Sequence, residues 1–509
     1  MLPSTAFAKR CETRAWTESR GAEREYAPKR SALLISRCVA ASMSEVVGTF
    51  LTLFEEGHLS AAQFARLQIY LDWLQYKQNF REPVTVVQTA EAGSGAPSRV
   101  DVRIDSRQVL PGSLRELVEK AIGPANTDAG KAKDRIYLEH FHSLRSSIVW
   151  SFNQLYWQRL KDWEVATGKS YEKALPGGVS DGHNPQAISD SAKEFWKLLK
   201  ELETRNQLPP EIFILEIGVG LATRAGMWLD RFCALDQEYG TQYYPHLRFL
   251  LGDYSLSTLD RSRPAVKKHI DLCSFIALDA LDPIKTLSFL RHKVLHVHSS
   301  NMYDNLPDDE VVWRENHLYW VQVRAYIPAE EAAKIAANCG ISPTDVLKTI
   351  KRLLEVGADT LPEHEKGMAF WMNTWNAIRF EERLVDALDL PDAELPAGLS
   401  YQQMEDILKD APGELRFHLS SGALESFRNT LPLLHPRGYL QVQDIFVADL
   451  ADYCMGFYGP GKLDGSIVNW VNGALLREVA HRAGYDLHFV PFQYRAGSKT
   501  SILYTTQRE

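Results

Sequence analysis

An α/β fold built on a doubly wound parallel sheet is what this 509-residue sequence predicts for its second half. Three observations carry that prediction. From Glu211 onward, apolar strand-like runs alternate with helical patterns. Two glycines follow the first run, in "EIFILEIGVGLATRAGMWLDRF" (211–232). Polar residues then collect where successive runs end. Parallel neighbours need long right-handed crossovers, so the alternation implies a parallel sheet, and ligands of such sheets bind at the carboxyl ends of the strands.

The elements follow in order. "EIFILEIG" reads as strand one and "LATRAGMWLDRFCAL" as its helix. "LRFLLGDYS" is strand two and "LSTLDRSRPAVKKHI" its helix. "LCSFIALDALDP" is strand three with a turn, and "HKVLHVHSSNMYDNLP" is strand four with its loop. Strand one ends in Glu216, Gly218 and Gly220, strand two in Asp253, strand three in Asp279, and strand four in Ser300, Asn301 and Asp304. Gly218 and Gly220 permit a sharp turn that a ligand can lie against. An acid at the end of strand two can accept hydrogen bonds from both hydroxyls of a ribose. A dinucleotide fingerprint needs glycine at position 223, where the chain has Thr223. A nucleoside-like methyl donor has no phosphate to cradle, tolerates "EIGVGLA", and suits an acid directly before the turn.

The remainder of the chain is less regular. A length of 509 residues exceeds the ~150 of a typical domain several-fold, so two or three domains, or one with large insertions, are expected. Residues 1–42 carry eight Lys or Arg against four Glu. They read as a disordered extension, as a start placed too early with Met43 the real beginning, or as a targeting segment. Residues 43–185 read as a mainly helical N-terminal domain. In it, "SEVVGTFLTLFEEGHLSAAQFARLQIYLDWLQYKQNF" forms two packed helices, and "VTVVQTAEAGSGAPSRVDVRID" a small hairpin. "YLEHFHSLRSSIVWSFNQLYWQRLKDWEVAT" is a further helical region, and 174–186 a boundary loop. Residues 186–325 and 426–509 form the α/β domain, interrupted at 326–425 by a helical insertion placed to cover the site, with Phe370, Trp371 and Trp375 either lining a pocket or filling a core.

Several function classes recede. A net charge of −8 argues against general nucleic-acid binding. No apolar run approaches the ~20 residues that span a bilayer, and a cytoplasmic location without membrane contact is expected. Six scattered cysteines with no CxxC pair suggest neither a disulfide framework nor a zinc site. On a helix, His140 and His142 would point to different faces, and His296 and His298, which share one side of strand four, have no evident third ligand. No metal is expected.

Residues 211–509 resemble class I S-adenosylmethionine-dependent methyltransferases and are similar to the MidA family, which includes a mitochondrial protein arginine methyltransferase involved in complex I assembly. The matching stretches are "EIGVGLA", "GDYSLSTLDRSR" and "SNMYDNLP", the last set beside the family's "NELLDALP"-like loop. "PRGYLQVQDIFV" then reads as strand five, "NWVNGALLREVAHRAGYDLHFVPF" as a helix and strand six, and "SKTSILYTTQ" as strand seven of an antiparallel hairpin. Ala222 stands where the family has a third glycine, and Ser300 and Asn301 replace its Asn-Glu pair. The resemblance implies a Rossmann-like seven-stranded sheet and S-adenosyl-L-methionine as cofactor. It implies Glu216, Gly218 and Gly220 at the methionine part, Asp253 at the ribose, Asp279 at the adenine amino group, and Ser300 among the donor-binding positions. Asp304, with Asn301 and Tyr303, falls nearest the acceptor, where a carboxylate orients a nitrogen or takes its proton. Asp304 also reads as a turn cap. The acceptor is a protein side chain or a small molecule; the alternative is a catalytically silent binding or assembly protein of the same fold.

Overall fold

The computed structural model describes residues 43–508, apart from 73–75, 77, 91–96, 111, 123–127, 176–177, 390–394, 410, 412 and 456–458. The readings of residues 1–42 lie outside this range.

The sheet expected from the second half is present. Its strands are β1 (Ile212–Ile217), β2 (Leu247–Asp253), β3 (Cys273–Ala277), β4 (Val294–Ser300), β5 (Leu434–Asp444), β6 (Tyr485–Pro491) and β7 (Ser501–Gln507). Their order is β6-β7-β5-β4-β1-β2-β3, with β1 to β5 parallel and β7 antiparallel to both neighbours. β1 is apolar on both faces because both are covered. Ile212 and Ile214 pack with Phe195 and Trp228 of the flanking helices α2 (Pro185–Thr204) and α3 (Thr223–Tyr239), and Leu215 and Ile217 pack with Val297, Leu440 and Leu503 on the other face. Local chemistry fixes the helix ends. The Asn184 side chain accepts from the Gln186 and Ala187 N–H groups ahead of Pro185, and α3 stops at Gly240 with φ +64°. His296 and His298 are buried on one side of β4, with the His296 ring stacked on Tyr439 at 4.5 Å, as core histidines.

The second lobe differs from its expectation. Among the described residues it holds a nine-stranded sheet with main path 67–71, 97–104, 84–90, 379–386, 317–328, 310–314 and 415–418; strands 135–137 and 142–143 pair with 317–328. Segments read as a helical N-terminal domain and a helical insertion thus share one sheet. The hairpin at 84–104 is as expected. The second of the two expected helices is a single turn, Ala61–Phe64, followed by strand Leu67–Leu71. Apolar spacing there fits either period over so short a stretch. Likewise, the expected helix from Tyr137 begins only at Ile148, as α1 (Ile148–Gln158), because the Ser143–Ser147 segment is extended and 3-10; His142 therefore lies on a strand and ion-pairs with Glu139. Phe370, Trp371 and Trp375 are fully buried on helix α4 (His364–Ala377), in the core of this lobe. Lys462 ties the hairpin 461–468 to that helix, its Nζ donating to the Trp375, Asn376 and Ile378 carbonyls at 2.7, 3.1 and 2.9 Å.

α4 packs so tightly that one glycine is obligatory. A Cβ on Gly367 would lie 1.7 Å from the Ala358 carbonyl oxygen, a backbone atom that cannot rotate aside. Gly367→Ala is expected to cost about 3 kcal/mol, despite the better helix propensity of alanine. A urea melt that showed equal or greater stability would contradict this packing.

Candidate functional site

The turn after β1 hangs on the end of β2. The Gly218 and Val219 N–H groups both donate to the Gly252 carbonyl, at 2.9 and 3.1 Å. The Gly220 N–H donates to Asp253 Oδ2 at 3.3 Å, and Asp253 Oδ1 accepts from Ser255 N–H at 2.9 Å. Gly218 and Gly220 have φ of +73° and +53°, which glycine adopts without a Cβ clash. A Cβ on Gly220 would meet nothing within 4 Å, so the turn faces open space there, whereas Gly218 is roofed by Met302, whose Cγ lies 3.2 Å from a Cβ position. Burial raises the Asp253 carboxyl above the usual carboxylate range. An acid beside an open backbone turn fits the ribose and tail of a nucleoside-like donor.

The other strand ends divide. Asp279 is exposed beyond β3, its carboxylate accepting from Leu281 N–H at 2.9 Å. Glu216 does not face the open turn; it is 5% exposed and held at 2.8 Å by Arg224 of α3. Ser300 donates to Asn301 Oδ1, and Gly182 lies against the Ser300 hydroxyl. The loop carrying Gly182 is anchored by Asp181, which accepts from Arg495, Ser498 and Thr500 of the β6–β7 connection. Beneath it, Arg224, His298, Gln441 and Gln443 line a polar cavity of about 30 Å³, room for a water.

The loop after β4 is organised by a residue the sequence reading passed over. Asp444, at the end of β5, accepts through Oδ2 from the N–H groups of Met302, Tyr303 and Asp304 at 3.2, 2.9 and 3.3 Å, and through Oδ1 from Ile445 N–H at 2.8 Å. Its place at the carboxyl end of strand five, like the polar residues that end the first four strands, is the signal that marks it. Tyr303 is 3% exposed with its ring in the core, a wall rather than a reacting group. Asn301 has φ +50° and donates its N–H to the Gln443 carbonyl at 2.9 Å. Asp304 is 8% exposed; burial and the neighbouring Asp444 carboxyl push it well above the usual range, while Asp444 itself is raised to about 7 by burial. Four N–H donors favour the ionised form of Asp444, so of the two carboxyls Asp304 holds its proton to the higher pH.

The second lobe closes over these ends through helix Ile148–Gln158. Asn153 and Trp157 both bond Asn305, and Gln154 accepts from the Tyr254 hydroxyl at 2.8 Å. These contacts span 100 to 152 residues of sequence separation, and no local pattern announces them. Among the described residues, the one cluster with metal-ligand spacing is Glu56, His58 and Glu119, remote in sequence from these loops and engaged with Arg115. No described helix is long and apolar enough to cross a membrane.

No family model and no curated protein matches the chain. Among solved structures, it is similar to a COG1565 superfamily member from Burkholderia thailandensis bound to S-adenosyl-homocysteine, with 14% identity over 75% of this chain and 90% of that one and a TM-score of 0.41. A second COG1565 superfamily protein from the same organism shares 12% identity over 70% and 93% of the two chains, TM-score 0.40. The CurJ carbon methyltransferase shares 11% over 60% and 51%, TM-score 0.27.

Proposed function

We propose that the chain transfers a methyl group from S-adenosyl-L-methionine to an acceptor that meets Asp304. The observation that carries this reading is the junction of Asp253 with the Gly218–Gly220 turn, which joins a ribose-binding acid to an open backbone cradle. When bound, the donor supplies an activated methyl on a positively charged sulfur, so the protein has chiefly to align, enclose and deprotonate. In this reading Gly218 and Gly220 support the methionine part, Asp253 the ribose and Asp279 the adenine amino group at the rim. Glu216 enters indirectly, through Arg224. Asn301 and Ser300 border the reacting end, Tyr303 packs the wall behind it, and Asp304 holds the acceptor and, in its ionised form, takes its proton. The helix Ile148–Gln158 excludes water. The acceptor is a side chain of a protein or a small molecule, and donor binding without transfer would return the reading to a silent binding protein.

Titration calorimetry with S-adenosyl-homocysteine tests the donor site, and mass spectrometry of cell extract incubated with the protein and isotopically labelled donor tests transfer. Saturable binding and a labelled product are expected. Absence of binding by donor and product alike would sink the reading.

Asp304 also predicts a trade of stability for chemistry. Its carboxyl is raised in the folded state, so both states are protonated at low pH; as pH rises, the unfolded chain ionises first and folded stability falls until the folded group also ionises. Asp304→Asn is therefore expected to be more stable than the parent by about 1–3 kcal/mol at pH 8 and little changed at pH 4, while transfer is lost. Denaturant melts at the two pH values check the sign.

A further inference from the structure

We propose that Asn305 is a positioning residue for Asp304, through which the second lobe sets the orientation and protonation of the acceptor-side carboxylate. The inference rests on the reading of Asp304 above. Asn305 Nδ2 donates to Asp304 Oδ1 at 2.8 Å and to the Asn301 carbonyl at 3.5 Å. Its Oδ1 accepts from Trp157 Nε1 at 3.2 Å, and its backbone carbonyl accepts from Asn153 Nδ2 at 3.0 Å. Asn153 is in turn fixed by Ile467 N–H, which donates to its Oδ1 at 2.9 Å. Both ends of the Asn305 amide are thus used, which determines which end faces the carboxylate: the Trp157 indole can only donate, so the carbonyl end must point to it and the NH₂ end to Asp304.

The consequence is electrostatic. Among the described residues, the titratable groups facing Asp304 are Asp444 from β5 and Tyr76 from the segment before strand Val84–Ala90, and the carboxylate of Asp304 raises Tyr76. Neither supplies positive charge. The Asn305 amide is the neighbouring side chain that favours ionised Asp304, opposing burial and Asp444. The relay begins on helix Ile148–Gln158, so a displacement of that helix would release Asn305 and raise further the pH at which Asp304 gives up its proton.

Infrared titration of the full chain tests the proposal without an identified acceptor. The carbonyl stretch of protonated Asp304, assigned by its disappearance in Asp304→Asn, is followed against pH in the parent, Asn305→Ala and Trp157→Phe. Loss of a charge-assisted hydrogen bond is expected to raise the midpoint by about one pH unit or more in Asn305→Ala, with a smaller rise in Trp157→Phe, which keeps the ring but not its donor. An unchanged midpoint in folded Asn305→Ala would overturn the proposal. So would a midpoint in folded Trp157→Phe that moved in the direction opposite to that of Asn305→Ala. S-adenosyl-homocysteine affinity, measured alongside, is expected to be unchanged in both variants. Failure of the parent to bind it would count against the methyl-transfer reading, whereas the titration decides the relay separately.

Discussion

Asp253→Ala is expected to weaken binding of S-adenosyl-homocysteine by two to three orders of magnitude while leaving the fold intact. Each charge-assisted hydrogen bond to a ribose hydroxyl is worth about 1.5–3 kcal/mol, and two such bonds are at stake. The Gly220 and Ser255 N–H groups lose their acceptor, but Gly218 and Val219 keep theirs on the Gly252 carbonyl, so the turn retains its anchor. Asp253→Asn, which keeps one acceptor, is expected to fall between the two. Calorimetry with the three proteins gives the series. A Kd unmoved by Asp253→Ala would remove this acid from the ligand altogether.

Arg81→Met is expected to destabilise the second lobe by about 3–5 kcal/mol at pH 8 and less at pH 5. Arg81 is almost wholly buried between Glu310 and Glu382, with both pairs at 2.8 Å, and Arg416 engages the same two acids from the other side. Removing Arg81 leaves two buried carboxylates with insufficient positive charge. Glu310 is already raised to about 7 by burial, so in the variant it protonates readily as pH falls, which relieves the repulsion. The defect is therefore fully expressed above that range and reduced below it. Adding Glu310→Gln to Arg81→Met is expected to recover part of the loss, and denaturant melts of the double-mutant cycle measure how much. Equal losses at pH 5 and pH 8 would show that packing of the guanidinium stem, not charge, is what Arg81 contributes.

The same network explains why the sheet of the second lobe is not legible in the sequence. Its strands at 84–90 and 379–386, or 97–104 and 310–314, lie hundreds of residues apart, and the polar faces they bury carry Asp101, Arg103, Glu310, Arg314 and Arg416. In sequence, a strand whose inner face is charged looks like a solvated one, because alternation cannot say that an arginine will meet a glutamate from the far end of the chain. Helix α4 was legible for the opposite reason: Phe370, Trp371 and Trp375 repeat at helical spacing and bury together.

In the first lobe the family resemblance implied strands five to seven and the closing hairpin, while the sequence by itself determined strands one to four, their parallel sense and the glycine turn that meets Asp253. These depend on apolar periodicity and backbone freedom, which are properties of short stretches. Only the tertiary structure decided how the strand-end polar groups are used. It turned Glu216 to Arg224 and Tyr303 into the core, set four N–H groups on Asp444, and brought Asn153 and Trp157 over Asn305 beside Asp304. A side chain's role at such an end depends on which partner desolvates and bonds it, and each of those partners comes from a distant part of the chain.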